Sequence, residues 1–168
     1  MSGDEKSVRE RWEALRNAAG PVDADALDAL WADLEPVGAA SILGSWRGFA
    51  FPTGHPVEKL LARSRWHGKR FLSVEDAQPL ICRAEDGSLY SDTTSGRGAA
   101  SLWNIEFRGE TTATMVYDGM AVFDHFKRVD DSTLLGVMNG KAAAVSDSGH
   151  LFYFALEREH SAPENEPE

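Results

Sequence analysis

Apolar residues recur every three or four positions only near the start of the chain. Val8, Trp12 and Leu15 form one stripe on a very polar stretch, and "NAAGP" ends it, with Gly20 at a C-cap position and Pro21 behind it. A second stripe, Leu27, Leu30, Trp31 and Leu34, starts behind Asp23 or Asp25, either of which suits an N-cap, and runs until Pro36. The pattern predicts two helices over residues 1–36. Trp12 and Trp31 read as packing residues that seat these helices on a sheet or a partner; the functional alternative is a lid over a cavity.

From Val37 onward the period drops to two. "ASILGSWRGFAF" reads as a strand, "TGHP" as a turn, and "VEKLLARSRW" as one short helix through Val57, Leu60 and Leu61. The rest of the chain is a train of short strands punctuated by "EDG", "DG", "RVDDS", "NG" and "SDSG", at the spacing of antiparallel hairpins. In "SLWNIEFRG", Trp103, Ile105 and Phe107 share one face and Asn104, Glu106 and Arg108 the other, which predicts a half-buried strand. "HLFYFALERE" differs, because Leu151, Tyr153 and Ala155 oppose Phe152, Phe154 and Leu156, so both faces are apolar. Such a strand must be covered twice, by a lumen on one side and the N-terminal helices on the other. A flat sheet of about nine strands exposes two edges, and closure removes them. The expected fold is therefore mainly β, an antiparallel barrel over residues 37–158 preceded by the helices of 1–36. Residues 159–168, acidic and proline-rich, are expected to form a disordered tail.

Gly44, Trp46 and Gly48 form a GXWXG signature, and "TMVYDGMAVFDHFKRVDDSTLLGVMNGK" lies downstream of it. Together these segments resemble the GXWXG-domain family and the C-terminal domain of unknown function that accompanies it, over roughly residues 35–158. The resemblance implies a compact β-barrel that holds an apolar or lipid-like molecule, and the GXW element is similar to the first strand of lipocalin-like barrels. Haem-binding barrels of the nitrobindin kind continue the motif with further glycines, whereas Phe49, Ala50 and Phe51 stand here.

Composition narrows the field further. The chain has 168 residues and a formal charge of −10, from 27 acidic against 17 basic side chains, so phosphate backbones and anionic lipid surfaces are repelled and nucleic acid is not an expected partner. Cys82 is the single cysteine, which rules out an internal disulfide and a CxxC pair. No stretch approaches the roughly 20 apolar residues of a membrane span, and the N-terminus lacks an apolar signal core. A soluble, cytoplasmic protein without integral membrane association is expected.

The candidate ligand-binding residues are Trp46, Arg47, Trp103, Ile105, Phe107, Met115, Tyr117, Phe123, Asp124, Met138, Phe152 and Phe154. Flat rings mixed with two methionines adapt to an apolar guest, although the same set also makes a solid core. Trp46 serves either as a plug at the barrel base or as a ligand contact. Asp118, Asp130 and Asp131 lie in turn sequences, whereas Asp124 sits mid-strand; if it faces inward it needs a cation, with Arg128, Lys141 or Arg47 as candidates. The five histidines have no ligand spacing, so neither a metal nor another cofactor is expected. GxSxG elbows, P-loops and dinucleotide fingerprints are absent from the sequence. The expectation is a barrel that binds, carries or sequesters a hydrophobic small molecule of the fatty-acid or phospholipid kind. The alternatives are an enzyme using Tyr117, Asp124 or His125 in the same cavity, a haem-binding barrel, and a homodimerisation module presenting its helices.

Overall fold

The computed structural model describes residues 2–160, with side chains from Ser7 onward. The remaining tail, 161–168, lies outside the described residues. Its expected first residue, Glu159, is fixed: its N–H donates to the Ser45 carbonyl, and its carboxylate meets His67.

Two helices open the chain, α1 (Ser2–Arg16) and α2 (Ala24–Asp33), as the apolar stripes predict. Asp23 caps α2 by accepting the N–H of Asp25. Ten strands come next: β1 (Glu35–Pro36), β2 (Gly44–Ala50), β3 (Trp66–Ser73), β4 (Asp76–Arg83), β5 (Leu89–Ser91), β6 (Ala100–Phe107), β7 (Glu110–Tyr117), β8 (Val122–Asp130), β9 (Thr133–Gly140) and β10 (Phe152–Arg158). The predicted short helix is α3 (Pro56–Arg63). Two short turns of helix are additions to the expected set: a 3-10 turn at Ala39–Ser41, and α4 (Ala142–Val145), formed where three consecutive alanines favour helix over turn.

Eight strands close on one another in the order β8-β7-β6-β4-β3-β2-β10-β9, and β9 returns to β8 to complete a barrel-like antiparallel ring. Closure leaves two kinds of face. Trp46, Phe71, Met115, Phe126, Phe154 and Leu156 pack inside the ring. Outside, α1 and α2 lay Trp12, Leu27, Leu30 and Trp31 on Phe51, Leu135, Val137, Tyr153 and Ala155. β10 is thus covered on both sides, as its doubly apolar sequence demands. Lys127 fastens this outer layer: its buried ammonium pairs with Glu110 and donates to the Trp31 carbonyl near the end of α2 (2.9 Å), which also accepts the Leu34 N–H.

The GXWXG stretch is β2, and all three of its named residues face inward. A Cβ on Gly48 would stand 2.1 Å from the Trp66 ring, so the bare backbone there admits an indole from the neighbouring strand. Gly68 is tighter still, with a Cβ position 1.9 Å from the Trp46 carbonyl oxygen. The register of β3 slips on either side of Gly68, so Trp66 points inward on one parity and Lys69 and Phe71 on the other.

Candidate functional site

Bulging β3 at Gly68 brings a lysine into the ring. Lys69 Nζ lies 2.9 Å from Asp124 Oδ2, with both side chains 3% exposed. Three rings surround the ammonium: those of Phe154 (5.2 Å), Trp66 (5.7 Å) and Tyr117 (5.8 Å). The Pro79 carbonyl accepts from both Lys69 Nζ (3.4 Å) and Trp66 Nε1 (3.2 Å). Burial pushes the Asp124 carboxyl above its ordinary pKa while Lys69 pulls it back, and the Tyr117 phenol is held well above its own value by burial and by Asp124.

These polar groups stand at the inner end of a small, partly open cavity of ≈ 30 Å³ that is otherwise apolar, lined by Trp66, Leu80, Met138, Phe152 and Phe154. α3 roofs it with Val57 and Leu61. No residue of α3 is fully buried, and Leu60 is 59% exposed. The helix is tied at its start by His55, whose Nδ1 accepts the Val57 N–H and whose Nε2 donates to the Val145 carbonyl (2.8 Å). A larger depression of ≈ 590 Å³ opens on the other side of α3, between Lys59, Leu60 and Pro52, but it is a surface cleft with no buried charge. The chemistry lies inside.

The twelve sequence candidates divide by strand face. Met115, Tyr117, Asp124, Met138, Phe152 and Phe154 lie in the interior, and five of them line the cavity; Met115 packs beside it. Trp46 is interior but borders a separate opening of ≈ 270 Å³ with Ile42, Leu134 and Arg158. Five do not face the lumen. Arg47 and Phe123 adjoin the inward Trp46 and Asp124, and successive strand residues point to opposite faces. Trp103, Ile105 and Phe107 form the more apolar face of β6, yet that face is the outer one. Phe107 packs edge-on against Trp31 of α2, and Trp103 is 58% exposed. The inner face of β6 carries Ala100 and Leu102, then Asn104, which accepts from the Ala39 N–H (2.9 Å) where the 3-10 turn closes the end.

The cation for Asp124 also differs from the three expected. Arg128 is paired with Asp131, Arg47 faces out, and Lys141 is exposed. Lys69 was legible in part: in "KRFLSV" it shares parity with Phe71, but the Gly68 bulge hides which parity is internal.

His125 lies outside the ring. Its ring stacks on Phe107 (4.1 Å), and its two nitrogens meet Thr114 Oγ1 and Asn139 Nδ2. Burial, aided by Arg108, lowers its pKa to about 4. Above pH ~6.5 the ring is neutral in both folded and unfolded chains. Between there and about 4 the unfolded chain takes a proton that the folded chain refuses, so stability falls with falling pH across that window. An NMR titration of the imidazole should show it still neutral at about pH 5, when an ordinary histidine is protonated. Asp25, Asp28 and His150 cluster at the surface with ligand atoms within 4.8 Å of one another, but Asp28 is already engaged by Tyr153 and Arg108.

The GXWXG protein family matches residues 29–87, and DUF4334, a domain of unknown function, matches residues 98–158. The crystal structure of a protein from Thermomonospora curvata is similar over 92% of this chain and 99% of that one, at 33% identity and a TM-score of 0.82. This chain belongs to the GXWXG family with the DUF4334 partner domain. None of the curated proteins compared with it matched. In this GXWXG–DUF4334 chain neither segment closes the ring alone, since the first holds β1 to β4 and the second β6 to β10. The ion pair spans them, with Lys69 from the GXWXG segment and Asp124 from DUF4334. Among the described residues no helix is long and apolar enough to cross a membrane.

Proposed function

We propose that this protein binds a hydrophobic small molecule inside the closed sheet, beneath α3, and thereby carries or sequesters it. The carrying observation is the buried Lys69–Asp124 pair on the wall of an apolar cavity. Stability alone gives no reason for the pair, because hydrophobic residues of similar volume in such a place are often neutral or more stabilising. A few fixed polar groups within an apolar lining are what orient a small ligand.

At ≈ 30 Å³ the cavity holds little more than one small polar group, so a chain-like guest requires the roof to rise. α3 is suited to that movement. It contributes two partly buried side chains to the interior, and the surface cleft on its far side offers space for displacement. Each methylene then buried contributes about 0.8 kcal/mol, so an acyl-length guest offsets the opening without many polar contacts.

Native mass spectrometry of the protein equilibrated with a mixed lipid extract should show one apolar molecule retained per chain. An unmodified mass across the whole lipid series would overturn the reading. The enzyme alternative draws on the same cavity through Asp124, whose carboxyl burial pushes up toward the range of a general acid or base, whereas the Tyr117 phenol is pushed away from that range. It loses His125, which faces the wrong way. A haem reading has little to build on, since both ring nitrogens of His55, which packs 5.6 Å from Phe152, are engaged by Val57 and Val145.

A further inference from the structure

The unspent valences around the cavity define the end group of the guest. A lysine ammonium has three N–H donors, and Lys69 directs one to Asp124 Oδ2 and one to the Pro79 carbonyl. Its remaining donor has no acceptor among the described residues. Asp124 Oδ1 receives no hydrogen bond from them either, because Lys69 is the one donor acting on that carboxylate. The Tyr117 hydroxyl, on a side chain 8% exposed, likewise lacks a partner among the described residues. All three residues line the same ≈ 30 Å³ space. That set offers a donor, an acceptor, and a hydroxyl able to be either.

Charge narrows the match. Lys69 and Asp124 are the only ionisable groups besides Tyr117 that line the cavity, and together they sum to zero. A guest carboxylate beside Lys69 and Asp124, both 3% exposed, would leave a net negative charge at the buried end of the cavity, and an ammonium a net positive one; burying either charge unpaired is heavily penalised. An uncharged group adds none. A hydroxyl fits the valences best, since it donates to Asp124 Oδ1 while its oxygen accepts from Lys69 or Tyr117. A ketone accepts from the same donors but leaves Oδ1 unsatisfied.

We infer that the cavity beneath α3 takes an uncharged, hydroxyl-bearing apolar molecule, with its hydroxyl held between Lys69, Asp124 and Tyr117 and its hydrocarbon directed toward Val57 and Leu61. This inference rests on the binding reading above. It separates the guest from free fatty acids and from amines, which share the same tail.

Calorimetric titration of the intact protein with 1-octanol, 2-octanone, octanoate and octylamine at pH 7 tests it, with the Trp66 indole N–H followed by NMR in parallel. Octanol should bind most tightly, with octanone weaker and both ions weaker than octanol by about tenfold or more. Asp124→Asn leaves Lys69 as a lone cation and should turn the preference toward octanoate. Tyr117→Phe, which keeps the ring and the pair, should weaken octanol several-fold, and it decides the matter if Asp124→Asn fails to fold. Octanoate binding as tightly as octanol to the native protein would overturn the end-group assignment while leaving the cavity as the site. If none of the four binds and the Trp66 signal stays still, the binding reading and the assignment fall together.

Discussion

Lys69→Met should destabilise the fold by about 3–5 kcal/mol, the usual consequence of stranding one member of a buried ion pair. The methionine fills the lysine's volume, so the loss reports the uncompensated Asp124 carboxylate, which sits 3% exposed among Phe154, Trp66 and Tyr117. The informative partner is the double variant Lys69→Met/Asp124→Leu. With both charges gone, the interior becomes uniformly apolar, and stability should return to within about 1 kcal/mol of the native protein or exceed it. Urea unfolding of the native, single and double forms measures the coupling directly. A stable double variant that no longer binds the guest would show that the pair serves the ligand rather than the fold.

Trp46→Ala should have an effect of similar size for a different reason. The indole is 2% exposed, its Nε1 donates to the Ile42 carbonyl (2.9 Å), and the Arg158 guanidinium lies 4.2 Å over its ring. Removing a core aromatic typically costs about 3–5 kcal/mol, and here the Ile42 carbonyl also loses its donor. Gly44 belongs to the same arrangement, because its φ of +125° and a would-be Cβ 2.8 Å from Arg158 Nη1 leave room for the arginine alone. Trp46 and the cavity share no wall. Trp46→Phe should therefore lower the thermal midpoint yet leave ligand affinity unchanged, which marks the tryptophan of the motif as a plug. A change in affinity matching that of cavity variants would assign it to the site instead.

Much of the architecture could be read from periodicity. The two helices, the closed sheet and the double covering of β10 all arise from residues whose spacing matches one regular element and whose faces are consistent along it, as with Tyr153 and Ala155 against Phe152 and Phe154. The lining of the cavity was legible only where a strand's interior face could be assigned without its neighbours. Tyr117, Asp124, Met138, Phe152 and Phe154 passed that test. Trp103, Ile105 and Phe107 failed it because the more apolar face of β6 is the outer one, where Phe107 meets Trp31 of α2 and Trp103 is left exposed, and alternation alone does not say which side is the interior. Lys69 and Trp66 were hidden by a bulge, since one extra residue at Gly68 exchanges the two faces of β3 midway. The roof residues Val57 and Leu61 were read as helix, but their position over Lys69 is set by tertiary packing alone.

The most direct measurement is the movement of the tryptophan indole N–H signals as the ¹⁵N-labelled protein is saturated with an apolar guest. Trp66 stands in the cavity wall, whereas Trp103 is exposed on the outer face and Trp12 sits under α1 against Phe51. The account predicts a large shift at Trp66, with Trp12 and Trp103 unmoved. Shifts confined to Trp103 or Trp12, with Trp66 still, would place the guest on the outside of the ring and contradict it.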